Sequence, residues 1–430
     1  MSENTKKTFA VHTLGCRTNQ YESQGYASQL LAKGYTQVGE GEEPGLCIVN
    51  SCTVTASADL SSHQLVRQLQ KKYPHTQIVV TGCAAEKDPK RFASLPGVLR
   101  VISNKEKEQL LPLVFPEEQW PEFSITQFEA HTRAFVKVQD GCNSFCTYCI
   151  IPYVRGRSRS RSVEDIVREV HTLVDSGFKE IVLTGINIGD FDGDPAPGEP
   201  PTRLATLVRA IDAIEGVKRL RISSIDPDEV DDDLMEAVLQ GRSTCPSFHI
   251  VLQSGSNAIL KRMNRKYTSQ LFLNTIGRLQ KSREDFTFTT DVIVGFPGET
   301  DKDLEDTLAI LRTVQFAKVH MFPYSKREKT RAALYPDHLS AEVIQERKRR
   351  VLTVAEETAF ALRNRYVGQR AQVLIEGKEE QQMSFGHTEH FLPVLVRASE
   401  GPLHANQLVE VLLEENSPEG LIGRVVACSP

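Results

Sequence analysis

The sequence predicts an α/β protein of three consecutive domains: a doubly wound parallel-sheet domain, an open (β/α)6 partial TIM barrel and a small all-β barrel. Three observations carry this. Apolar runs of strand length alternate with helical stretches through residues 1–110. The alternation resumes over residues 134–365 with six more units. From residue 366 the helical pattern stops and short β-like runs take over. At 430 residues the chain also exceeds what one hydrophobic core supports.

In the first domain, TFAVHTL (8–14), LCIVN (46–50) and QIVV (77–80) read as strands. A helix is expected over NQYESQGYASQLLAKG, and another from Ser57 to Lys72. Each strand is followed by a cysteine: Cys16, Cys52 and Cys83. Parallel strands end on one side of their sheet, and open α/β sheets bind ligands at that carboxyl edge. The three thiols can therefore meet at one spot; three separate buried cysteines are the alternative. Cys47 lies inside the second strand and reads as core. Residues 111–133 lack periodicity and read as a linker, with Trp120 packing it onto a domain.

In the barrel, the strands are AFVKVQ (134–139), EIVLTG (180–185), RLRISS (219–224), SFHIVL (247–252), FTFTTDVIVG (286–295) and KVHMFPYS (318–325). Amphipathic stretches at 163–177 and 204–216 read as helices between them. Six units fall short of the eight of a closed barrel, and such barrels place their sites at the carboxyl ends of the strands. The loop DGCNSFCTYC (140–149) follows the first strand and lies on that face. The Pro-rich stretch DFDGDPAPGEPP reads as a rim loop. Its Asp190, Asp192 and Asp194 imitate a calcium loop but lack the Gly and Glu it requires.

The third region, 366–430, contributes AQVLIEG, FLPVLVRA, QLVEVLLEE and GLIGRVVAC, an OB-like small barrel. It holds four Lys/Arg and nine acids, which accounts for the net charge of −5. The remainder is neutral with local basic runs at Arg155, Arg157, Arg159 and Arg161, at 261–266 and at Glu346–Arg350. The last of these reads as a solvated helix face. His387 and His390 read as loop residues, and Cys245 and Cys428 as unligated. The start MSENTKKTFA lacks the apolar segment of a signal peptide. No run approaches the ~18 apolar residues of a membrane helix. A cytoplasmic location is the expectation, so the nine cysteines read as thiols, ligands or redox groups rather than disulfides.

Cys142, Cys146 and Cys149 read C-x3-C-x2-C. A structural zinc site needs a fourth ligand, which would have to come from elsewhere, from His131 or His171 for instance. A 4Fe-4S cluster on three thiolates leaves one iron free to hold a reactant. This loop, with aromatic Tyr148 before its last cysteine, resembles that of the radical S-adenosylmethionine superfamily. The contexts TLGCRTNQYES, NSCTVTASAD and TGCAAE, the loop VQDGCNSFCTYCIIPYVRGRSRSR and the C-terminal YVGQRAQVLIEG…GHTEHFLPV…LIGRV together resemble its methylthiotransferase branch. The last segment is similar to that branch's TRAM domain. LTGINIG and PYVRGRSRSR look most like the tRNA threonylcarbamoyladenosine type.

The resemblance implies two 4Fe-4S clusters, one on Cys142, Cys146 and Cys149 and one on Cys16, Cys52 and Cys83. It implies S-adenosyl-L-methionine as cofactor and a 5′-deoxyadenosyl radical that abstracts hydrogen from carbon 2 of the adenine. A methylthio group takes its place. Tyr148, Thr184, Gly185, Ser223, Ser224, Gln253, Arg265 (in the helix after the fourth strand), Asp291 and Gly295 are the implied cofactor contacts. No protein acid or base is implied as catalytic. The arginines at 155, 157, 159 and 161 read as grips on RNA phosphates or as order in the radical loop. The implied partners are a tRNA anticodon stem-loop, a flavodoxin-like or ferredoxin-like electron donor and an unidentified sulfur donor, with no membrane. An isopentenyl-type adenosine or a ribosomal protein side chain is the alternative substrate, the latter favoured by the acidic C-terminal domain. A non-catalytic iron–sulfur sensor is the other class.

Overall fold

The computed structural model describes residues 7–39, 41–125, 132–378, 383–397 and 402–428. The first domain is a five-stranded parallel sheet. Its spatial order is Thr36–Gln37, Thr8–Thr13, Leu46–Ser51, Gln77–Gly82, Val98–Val101. This is the flavodoxin-like 2-1-3-4-5 order, whose ligand site lies where the winding reverses, between the first and third strands. Leu46–Ser51 is buried along its whole length because it is central and covered on both faces. Helices Arg17–Ala32 and Ala56–Lys72 start directly after the first and third strands. The second is capped by the Thr55 hydroxyl, which accepts from the Ala58 N–H. The two outer strands are short, and they escaped notice in the sequence.

Part of the expected linker is structured. Leu110–Val114 is a short helix, and Trp120 packs against Phe115 and Tyr35 on the first domain's core. Phe123 reaches Tyr21 and Tyr26. Residues 126–131, His131 among them, lie outside the described residues.

The central domain has the six expected strands: Arg133–Lys137, Glu180–Thr184, Arg219–Ile222, Ser247–His249, Thr287–Val294 and Lys318–Pro323. They form two three-stranded parallel sheets joined by the single bridges Leu220–Thr244 and Ile225–Ile250. The largest apolar core lies between these strands and helices such as Val163–Asp175 and Leu204–Asp212. The long helix Ala341–Asn364 closes the domain. Its basic run is not simply solvated: Arg347 is buried and pairs with Glu299 (2.7 Å) and Asp301 (2.9 Å).

The C-terminal domain is a closed five-stranded barrel. Its second strand, Met383–Thr388, was not among the expected runs, because MSFGHT carries little apolar signal. Gly386 there allows close packing, since a Cβ would lie 2.2 Å from the Leu374 carbonyl. His387 is thus a strand residue, corrected from a loop, and Nδ1 bonds Glu376 at 2.6 Å. This barrel sits on the amino-terminal end of the central strands. Arg219 donates to the carbonyls of Gln372 (2.6 Å) and His387 (3.0 Å). Arg221 donates to those of Thr388 (2.8 Å) and Glu389 (2.9 Å). His390 bonds Asp285 at 2.8 Å. Docking there leaves the opposite, carboxyl-end face to the first domain.

Candidate active site

The radical-type loop leaves the first barrel strand through Gln139–Asp140, a two-residue ribbon paired with Arg159–Ser160. Gly141 then turns with φ +74°. A Cβ there would lie 2.0 Å from the Arg157 carbonyl oxygen, so glycine alone lets the loop cross its returning arm. Cys142, Cys146 and Cys149 follow, all half-buried. Sulfur-directed donors surround them: Ser144 N–H reaches Cys142 Sγ at 3.4 Å and Arg265 Nη1 reaches Cys146 Sγ at 3.0 Å. Thr147 is tied to Arg262 and Met263, and its carbonyl accepts from Ala332 N–H. Burial first, and Cys146 second, pushes the Cys149 thiol up to about 12.

Cys16, Cys52 and Cys83 stand at the carboxyl edge of the first sheet, with the Cys16 and Cys52 strands flanking the winding reversal. Gly15, at φ +97°, brings backbone against Cys52: a Cβ would lie 2.7 Å from its sulfur. Cys83 Sγ accepts from Arg155 Nε at 3.3 Å and faces Asn104 Nδ2 at 3.9 Å. Burial pushes the Cys52 thiol up to about 11, with smaller contributions from the Cys83 and Cys16 sulfurs. Among the described residues no three His, Cys, Asp or Glu side chains already converge in metal-binding geometry. Each triad is therefore a set of neighbouring thiols on fixed loops, not a closed cage. N–H donors aimed at sulfur suit thiolate ligands of an iron–sulfur cluster.

A buried ionic knot joins the two triads. Arg155 is 1% exposed. Besides Cys83 it bonds Asp140 (2.8 Å), Glu22 (3.2 Å) and the Asn19 side chain. Lys107 bonds Glu22 at 2.5 Å and Asp140 at 2.7 Å. Burial opposes the Glu22 charge, but Lys107, Arg155 and Lys137 overrule it and hold the carboxyl at about 2. Arg159 joins Asp140 at 3.0 Å, and Arg161 bonds Glu169 at 2.6 Å. Arg157 lies over the Phe145 ring at 4.4 Å. Of the two readings of this arginine run, loop ordering describes Arg155, Arg159 and Arg161; buried Arg155 is closed to RNA.

Above the strands a cavity of about 200 Å³ is lined by Tyr148, Gln253, Asp291, Ile293, Phe322 and Tyr324, with Val54 and Thr55 from the first domain. Three of the expected cofactor contacts thus share one space. Gln253 takes φ +60° and its Oε1 is buried without a partner, as is Ser223 Oγ. Thr184 is buried at its strand end, next to Gly185, which packs on Gln139. Ser224 follows the third strand in a half-buried position. Arg265 is not in a helix: Asn257–Arg262 ends before it, and it pairs with Asp226 besides Cys146. A Cβ on Gly295 would meet Ile344 of the long helix at 2.5 Å, so this glycine serves packing there. The rim loop Asp190 accepts from Asn143 N–H at 3.3 Å, beside the cysteine loop.

Sequence reasoning missed Asp140, Lys107, Glu22, Asn104 and Asp226, which hold the cysteines' partners. It also missed Arg327, which joins Thr53 and Asp59. Charged residues scattered over hundreds of positions leave no local signal.

Residues 136–311 match the model of the radical SAM superfamily, and residues 8–103 match that of uncharacterized protein family UPF0004. The chain is 48% identical to threonylcarbamoyladenosine tRNA methylthiotransferase MtaB of Chlamydia pneumoniae, over 98% of this chain and 99% of that protein. The chain belongs to the radical S-adenosylmethionine methylthiotransferase family. A tRNA-2-methylthio-N(6)-dimethylallyladenosine synthase of Acetivibrio thermocellus is 35% identical over 86% of this chain and 81% of its own length. Among solved structures, the radical S-adenosylmethionine methyltransferase TsrM of Kitasatospora setae shares the fold. Its TM-score is 0.57 at 12% identity, covering 76% of this chain and 77% of that one. Membership makes this methylthiotransferase an enzyme that uses S-adenosylmethionine and a 4Fe-4S cluster. The thiols at 142, 146 and 149, with their N–H donors, fit the cluster. Among the described residues no helix is long and apolar enough to cross a membrane.

Proposed function

We propose that this methylthiotransferase inserts a methylthio group at carbon 2 of threonylcarbamoyladenosine beside the anticodon of tRNA, using two 4Fe-4S clusters. The observation that carries the reading is the second cysteine triad, set at the sheet's ligand edge and tied through Arg155 to the first. When bound, the clusters and S-adenosylmethionine supply radical formation and the sulfur to be inserted. An aromatic C–H with no acidity needs such chemistry, since side-chain acids and bases cannot activate it.

The chain's own residues position and shield. Cys142, Cys146 and Cys149 would hold the radical cluster, and Arg265 steadies Cys146. Cys16, Cys52 and Cys83 would hold the second, with Arg155 and Asn104 on Cys83. Tyr148, Phe322 and Tyr324 give the cavity aromatic walls, and Gln253 and Asp291 give it polar atoms. The 48% relative's name supports threonylcarbamoyladenosine over the isopentenyl type. Glu376 faces Arg133 of the central domain, while Glu410, Glu414 and Glu415 pair with Arg370, Arg397 and Arg424 of the same region, which the net charge of −5 already includes. Electrons would come from a flavodoxin-like or ferredoxin-like donor in the cytoplasm.

Nucleoside mass spectrometry of tRNA from cells with and without the protein tests this. Methylthiolated threonylcarbamoyladenosine should vanish without it. Unchanged levels, with loss of another methylthio nucleoside or of mass from a ribosomal protein, would overturn the substrate.

A further inference from the structure

The loop after the sixth barrel strand, residues 325–335, does something no cysteine motif requires. It is fastened to both cysteine-bearing segments. Ser325 Oγ accepts from Ala56 N–H at 3.0 Å, and Arg327 reaches Thr53 and Asp59, all just past Cys52. At its other end Ala332 N–H donates to the Thr147 carbonyl, between Cys146 and Cys149, at 2.8 Å. Thr330 Oγ1 closes the loop on the Arg327 carbonyl at 2.7 Å. The loop is thus tied at three places, beginning beside the cavity that Tyr324 and Ser325 line.

What the pinned loop displays is positive charge. Lys326, Lys329 and Arg331 are exposed, and among the described residues none of the three has an acidic partner. Glu328 is the one acid between them. Lys329 is held at φ +69°, a left-handed backbone that non-glycine residues seldom adopt. The three cations line an open groove of about 630 Å³ together with Glu328, Thr330, Ala333 and Leu334, the last 87% exposed. That volume falls in the roughly 300–1,000 Å³ range of ligand sites. Stability gives no reason for three unpaired cations and a bare leucine on a braced rim. A polyanion passing over the cavity does, because cation–phosphate contacts release counterions and fix register without reading sequence.

We propose that Lys326, Lys329 and Arg331 bind the phosphate backbone of the RNA strand that delivers its base to the cavity. The inference rests on the tRNA reading and adds the surface that receives the strand. The exposed Leu334 lies where it would pack against a sugar or base face.

The test compares full-length protein with K326Q/K329Q/R331Q and with R67Q/K71Q/K72Q. The latter removes three exposed cations towards the far end of Ala56–Lys72, about 16–24 Å along that helix from its rim end. Binding of an anticodon stem-loop RNA is followed by anisotropy over a range of salt. The rim variant should bind about tenfold or more weakly at low salt. Its log–log salt slope should fall by about 2–3, at 0.7–0.9 per lost phosphate contact. K326R/K329R should bind like wild type. An unchanged slope in the rim variant, or an equal loss in the helix variant, overturns the assignment. No salt-dependent binding by wild type would instead sink the tRNA reading itself, and this inference with it.

Discussion

Arg155 Nε stands 3.3 Å from Cys83 Sγ while the same guanidinium holds Asp140, two residues ahead of Cys142, at 2.8 Å. One buried side chain from the radical loop therefore touches the other triad and its own loop's entrance. The two sites are held by a shared charge network, not merely by adjacent domains.

Removing that charge alone should be costly. R155M leaves Glu22 and Asp140 buried with fewer partners, a loss of about 3–5 kcal/mol for a broken buried pair. R155M/E22Q removes one charge of each sign and should recover much of this in denaturant unfolding. Equal stability of the single and double variants would show that charge balance is not what the arginine supplies.

Glu229 gives a pH signature. Burial, then the Asp226 charge, lifts its carboxyl to about 7, against 4.5 when unfolded. Between those values the folded chain binds the extra proton, so stability is full below pH 4.5 and declines as pH rises through 7. The decline is on the order of 3 kcal/mol. E229Q should flatten this part of the stability–pH curve; an unaltered slope would contradict the assignment.

The C-terminal barrel is held through Glu180, whose carboxylate bonds Arg221 Nε at 2.7 Å and lies 3.3 Å from Arg133 Nε and 3.5 Å from Arg219 Nη1. E180Q leaves the buried Arg219 and Arg221 and the half-buried Arg133 without their shared carboxylate. A loss of about 3–5 kcal/mol and early proteolytic release of residues 366–430 are expected. Release no faster than in wild type would place the docking elsewhere.

Much of this was legible because it is periodic or local. The strand–cysteine repeats at 16, 52 and 83 announced a ligand edge, and the sheet order then placed two of them at its reversal point. The six barrel strands show as short runs rich in β-branched and aromatic residues, although charged side chains such as Glu180, Arg219, Arg221 and Asp291 interrupt them. Met383–Thr388 hid because Met383 and Phe385 stand among serine, glycine, histidine and threonine, too few apolar residues to mark a strand. The knot around Arg155 hid because its members come from Glu22, Lys107, Asp140 and Arg155, which nothing in the linear order connects. Arg265 was expected at the cofactor, and only the fold shows it on Cys146 and Asp226.

The central claim is that the chain carries two three-thiol sites with different tasks. Reconstituted wild type and C16A/C52A/C83A, each given S-adenosylmethionine, reductant and tRNA, would be assayed together for 5′-deoxyadenosine and for methylthiolated nucleoside by mass spectrometry. The account predicts that the variant still forms 5′-deoxyadenosine, with about four instead of about eight iron atoms per chain, and makes no methylthiolated nucleoside. Methylthiolated product from the triple variant would contradict it.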